Sequence, residues 1–196
     1  MTPEIRAFEY ALGLYSVLIG LAVADIAASF HRLARRKAPM VWDPLALLAA
    51  SYALWLAVGM WFDLWGVRNV SEARHFFFYL AMVANLFVLF LIAAASLPDD
   101  PANDCDLRAY YASNRRYFWS LVALFQTFYI VFGVYFVGSM LSRMPRASAA
   151  LIVATWVLLL VTPLALAGLR SRTAHYVGLA LLFAVQAWHY APYTIN

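Results

Sequence analysis

Asp25 is the residue of this sequence best placed to do chemistry, because it stands inside the apolar run Ala22-Val23-Ala24-Asp25-Ile26-Ala27-Ala28. It precedes His31 and Arg32 by about a turn and a half or more of helix. An ionisable group in hydrocarbon is costly, so each one is a site hypothesis. A carboxylate at this position binds a cation, relays a proton, or is satisfied by an arginine from the cytoplasmic side, with Arg32 and Arg172 as candidates. Asn85, Gln126 and Gln186 fall near the middle of three other apolar runs. At similar depth they would line a polar path with Asp25. They would equally bond to one another and fasten the helices, each bond contributing about 1 kcal/mol.

A second polar group is expected at the outer side, where Asp63, His75 and His189 share a depth with Glu9 nearby. Such a cluster suits pH sensing, but no short-range ligand spacing supports a metal. His175 and His189 are fourteen residues apart, hence nearly on one helical face and ~21 Å apart along it. With His31 and His75 they offer the loose outline of a bis-His haem arrangement. All four, however, sit at helix ends, and the partners lie on different helices, so no cofactor is expected. No Gly-x-Ser-x-Gly with a usable His, no His-Glu-x-x-His and no phosphate-cradling glycine loop occurs, so no catalytic residue is assigned. Asp99-Asp100, flanked by prolines, reads as a turn. Cys105 is the single cysteine and can form no internal disulfide.

The elements that position these groups follow from composition. Of 196 residues, 65% are hydrophobic and 12% charged, with a mean hydropathy of +0.74. A soluble domain carries about twice that charge. Six apolar runs, about 8–30, 43–65, 75–97, 117–141, 148–169 and 174–191, are long enough to cross ~30 Å of hydrocarbon. Backbone amides in lipid must be satisfied within the segment, so the runs are helices, with Pro163 expected to kink the fifth. The expected fold is an all-α, single-domain bundle of six transmembrane helices over residues 1–196, with a short cytoplasmic interfacial helix. The N-terminus lacks the basic region and cleavage site of a signal peptide, so the first run is expected to remain as a span.

Basic residues orient the bundle. Arg32, Arg35, Arg36, Lys37, Arg108, Arg115, Arg116, Arg170 and Arg172 fall in the turns of one side. Arg6, Arg68, Arg74, Arg143 and Arg146 fall on the other. Nine against five makes the first side cytoplasmic and places both termini outside. The net charge of +4 is therefore read as orienting the chain in a bacterial inner membrane, and no nucleic-acid partner is expected. Small residues four apart, Ser16, Gly20, Ala24 and Ala28 in the first run and Ala49, Ala53 and Ala57 in the second, suggest close packing of these two helices. The three-plus-three layout invites an inverted repeat, but only Gly20 against Gly133 matches.

The middle stretch, 98–116, reads as more than a linker. Pro98 and Pro101 stop the third helix; Asn103 or Asp104 is the expected cap of a new one, with Asp106 in its first turn. Leu107, Tyr110, Tyr111 and Phe118 share one face, so an amphipathic helix in the interface is expected to run into the fourth span. Arg108, Arg115 and Arg116 are its candidate contacts with anionic lipid or a partner. The sequence Leu97-Pro98-Asp99-Asp100, Asp106-Leu107-Arg108-Ala109-Tyr110-Tyr111, Asn114-Arg115-Arg116 resembles a group of small six-span bacterial membrane proteins. The resemblance implies no activity. The leading expectation is a small transporter or channel for a cation, proton or small polar solute. Its rivals are a non-catalytic accessory or scaffold subunit and, third, a haem-binding redox subunit. A homo-oligomer or a partner membrane subunit is expected.

Overall fold

In a computed structural model, residues 3–66, 76–99, 105–141 and 143–191 are described. Most of the described residues are helical. Six helices form among the described residues: α1 (Pro3–Ala34), α2 (Pro44–Gly66), α3 (Phe76–Ser96), α4 (Leu107–Leu141), α5 (Arg146–Gly168) and α6 (Arg172–Tyr190). Five of them, α1 to α5, are long and apolar enough to cross a membrane. The 19-residue α6 falls outside that group, since Arg172, His175, Gln186 and His189 dilute its hydropathy.

The chain divides into two compact units, Met1–Ser113 and Asn114–Asn196. All ten acidic residues belong to the first, while the second carries six arginines and neither Asp nor Glu.

In the first unit α1, α2 and α3 pack pairwise. The buried face of α1 is Tyr15, Ile19, Ala22, Ile26, Ser29 and Leu33, a spacing of four and three in alternation that keeps one seam turned to its neighbours. The small-residue stripe lies elsewhere: Gly20, Ala24 and Ala28 are exposed, and a Cβ at Gly20 would meet nothing within 4 Å. The expected close pairing through that stripe is thus corrected. The branched and aromatic side chains of α1 lose more water or lipid contact by burial than Gly and Ala do, and they take the seam. In α2 the stripe holds, with Ala49, Ala53 and Ala57 all buried.

Two short connections complete this unit. Asp43 caps α2, its Oδ1 accepting from the Leu45 amide at 3.4 Å, with Pro44 at the first helical position, where its missing N–H costs nothing. Met40–Val41 (β1) pairs in parallel with Cys105–Asp106 (β2), Met40 opposite Cys105 and Val41 opposite Asp106. The cap of α4 is Asp106, whose Oδ1 accepts from the amides of Arg108 at 2.8 Å and Ala109 at 3.1 Å. It replaces the expected Asn103 or Asp104, which lie outside the described residues. A cap must sit two and three residues before the amides it serves, and pairing with β1 holds Asp106 there.

The expected interfacial helix is continuous with the fourth span. At 35 residues, α4 is ~52 Å long, well beyond ~30 Å of hydrocarbon, and the residues expected to be interfacial form its first turns. The anticipated face is present: Leu107, Tyr111 and Phe118 are buried, and the Tyr110 hydroxyl donates to the Ala95 carbonyl at 3.2 Å. That bond satisfies one of the carbonyls left open at the end of α3.

In the second unit α5 runs through Pro163 without interruption and packs against α6. Gly178 of α6 sits against Leu166 of α5; a Cβ there would lie 2.9 Å from both Leu166 methyl carbons. Gly133 meets Trp156 at 2.7 Å by the same measure. Gly20 and Gly133, the one match between the halves, therefore occupy unlike surroundings.

Overpacking at such a contact costs about 1–3 kcal/mol. Gly178→Leu is expected to destabilise the protein by that amount in denaturant titrations of the micelle-solubilised protein, whereas Gly20→Leu leaves the midpoint unchanged.

Candidate functional site

The polar groups of α1 and α3 form the site with the clearest chemistry. Asp25, Ser29 and Arg32 fall at i, i+4 and i+7 on α1, so they stack on one face. Just past the end of α3 comes Asp99. Its Oδ1 accepts from the Ser29 hydroxyl at 3.0 Å and from Arg32 Nη2 at 3.1 Å, and Arg32 Nη2 also donates to Ser29 Oγ at 2.8 Å. Ser29 is buried, while the side chains of Arg32 and Asp99 are 44% and 61% exposed. The result is a three-residue clamp between the end of α1 and the α3–α4 connection.

Asp25 stands one turn deeper and outside the clamp. Its Oδ2 is buried without a hydrogen-bond partner among the described residues. Arg32 gives its hydrogen bond to Asp99 rather than to Asp25, while its charge still lies close enough to act on Asp25. Arg172, the other candidate, belongs to the second unit.

In the same unit two more buried oxygens share this condition. Asn85 of α3 is 1% exposed and its Oδ1 has no partner; Tyr15 of α1 is 2% exposed and its hydroxyl has none. The Tyr15 and Tyr79 rings lie 6.4 Å apart. Burying an amide or hydroxyl oxygen unpaired costs about 1–3 kcal/mol by mutational measures. Native structures keep few such groups, and each asks for an explanation.

The other anticipated path residues lie in the second unit. Gln126 and Gln186 are buried, and each takes part in interactions of its own.

Of the outer cluster, Asp63 is in α2, His75 lies outside the described residues, and His189 belongs to the second unit. His189 Nε2 is 3.0 Å from the Tyr129 hydroxyl, with the rings edge to face at 6.0 Å. His175 is buried, with Nε2 3.0 Å from the Leu169 carbonyl and its ring 6.2 Å from that of Trp119. A haem ligated by these two nitrogens would have to displace both bonds. His31 is exposed near the end of α1. Among the described residues no three His, Cys, Asp or Glu side chains converge to hold a metal.

Arg115 Nε donates to the same Leu169 carbonyl at 3.1 Å. The α5–α6 turn is thus held by Arg115 and His175, with Ser171 capping α6 through the Ala174 amide at 3.4 Å. Arg108 and Arg116 are exposed, the position expected of lipid or partner contacts.

Sequence reasoning passed over Ser29, Asp99 and Tyr15. The spacing Asp25, Ser29, Arg32 carried a signal for Ser29, and the four-three alternation carried one for Tyr15. Asp99 is joined to its partners only by the tertiary fold. No family model, curated protein or solved structure matches the chain.

An ion pair as exposed as this one contributes about 0.2–1 kcal/mol. A double-mutant cycle of Arg32→Gln and Asp99→Asn is expected to return a coupling in that range in thermal or denaturant unfolding. A coupling of several kcal/mol would show the clamp to be far drier than its exposure indicates.

Proposed function

We propose that the protein is a small transporter or channel for a cation, a proton or a small polar solute, working as a six-span protein of a bacterial inner membrane with both termini outside. The observation that carries this reading is the pair of unpartnered buried oxygens, Asp25 Oδ2 and Asn85 Oδ1, within helices apolar enough to span a bilayer. A structural role would supply each oxygen with a protein donor, as Ser29 supplies Asp99. Acceptors held ready without one suit a passing solute, and a carboxylate among them favours positive charge. Asp25 is the charged element and Asn85 lines the path beside it.

A scaffold role is the second reading, favoured by the exposed face of Gly20, Ala24 and Ala28 on α1. Small residues let a second helix approach closely. Under this reading a membrane subunit copurifies in mild detergent and Gly20→Leu removes it.

The transport reading is tested in proteoliposomes with radioactive sodium and rubidium, a pH-sensitive dye, and stopped-flow swelling in urea and glycerol. At least one of these fluxes is expected above that of empty vesicles, and Asp25→Asn is expected to lower it tenfold or more while gel-filtration behaviour stays unchanged. Flux at the wild-type rate in Asp25→Asn removes Asp25 from the path.

A further inference from the structure

The placement of the three unpartnered oxygens narrows the choice of solute. Tyr15 to Tyr79 and Ser29 to Asp99 are contacts between α1 and the α3 segment with nearly the same offset in sequence, so the two helices run in the same direction. By these offsets Asn85 is level with roughly residues 15–21 of α1, on a rise of about 1.5 Å per residue. The oxygens therefore follow one another along the helix axis in the order Tyr15, Asn85, Asp25, and then the Ser29–Asp99 bond. Tyr15 and Asp25, ten residues apart, are separated by ~15 Å, and Asp25 and Ser29 by ~6 Å.

Such a series is strung out along the axis. A dehydrated metal cation needs several oxygens gathered at one point, about six to eight at 2.3–2.6 Å for calcium. Groups on separate turns cannot supply that shell, and no convergent metal-ligating set occurs among the described residues. Urea or glycerol, too, would need donors and acceptors converging on one molecule. A proton needs only polar groups close enough for one or a few waters to join them, and one group able to hold it. Buried water with two to four polar partners is ordinary in proteins, and carboxylates in helical bundles serve as relays.

We infer that the solute is the proton, conducted along the α1–α3 seam through water held by the Tyr15 hydroxyl and the Asn85 carbonyl oxygen, with Asp25 as the group that takes it up and gives it off. This rests on the transport reading above and specifies its substrate. Asp25 accepts a proton from a water on one side and returns it to a water on the other, with no bond other than O–H made or broken. Arg32 stays hydrogen-bonded to Asp99 and Ser29, so Asp25 Oδ2 takes no hydrogen bond from it. Asp99 ends the series at the exposed side.

The test uses the full chain in liposomes loaded with the pH-sensitive dye pyranine, with valinomycin and potassium setting the driving voltage. Wild-type protein is expected to acidify or alkalinise the lumen at least tenfold faster than empty vesicles. Asp25→Asn should fall to the empty-vesicle rate, Asp25→Glu should recover part of it, and Asn85→Leu and Tyr15→Phe should slow it severalfold. Each variant is first checked for wild-type elution on gel filtration. Recovery by Glu separates a proton-carrying role from a packing role. If sodium, rubidium, urea or glycerol flux depends on Asp25 and dye-reported proton flux equals that of empty vesicles, the proton is the wrong solute and the transport reading survives. If no flux of any kind exceeds empty vesicles, both fail. Proton flux unaffected by Asp25→Asn overturns the inference alone.

Discussion

A polar atom buried in hydrocarbon has no water to fall back on, and the arrangement of this chain follows from how each such atom finds a partner. Backbone amides are satisfied by making nearly everything helix. Helix ends, where amides and carbonyls are left over, are met one by one. Asp43 and Asp106 serve the first amides of α2 and α4, Tyr110 serves a last carbonyl of α3, and Arg115 with His175 serves Leu169 at the end of α5. Against that thoroughness, three side-chain oxygens of the first unit are left without a hydrogen bond, and there the chain departs from its own rule.

The spans were legible because one physical quantity decides them. Apolar length is written locally, so the run 43–65 emerges as Pro44–Gly66 and 75–97 as Phe76–Ser96. What depends on a neighbour was less legible. Ser16, Gly20, Ala24 and Ala28 have the spacing of a packing stripe, but spacing cannot say whether a face meets a helix or lipid. Tyr15, Ile19 and Ile26 took the seam because they had more area to bury. Asp106 became the cap of α4 because a two-residue strand from the distant first turn holds it there.

The site was half legible for the same reason. Asp25 and Asn85 are conspicuous by their surroundings in sequence, and both are buried oxygens in one three-helix unit. Their grouping with Gln126 and Gln186 came from depth alone, which says nothing about which helices adjoin. The Ser29–Asp99 bond spans seventy positions, and no local pattern could have announced it. It also gives Arg32 a hydrogen-bonded partner other than Asp25.

The segregation of charge between the two units has a consequence for how the chain meets acid. Side-chain carboxylates change charge at about pH 3–5 in water, higher when buried, and arginines do not change at all below pH 12. Since every Asp and Glu precedes Asn114, protonation of side-chain carboxylates changes the charge of the first unit only. The second keeps its six arginines. The molecule thus carries all its side-chain carboxylates in one half, and a drop in pH makes the two more alike in sign.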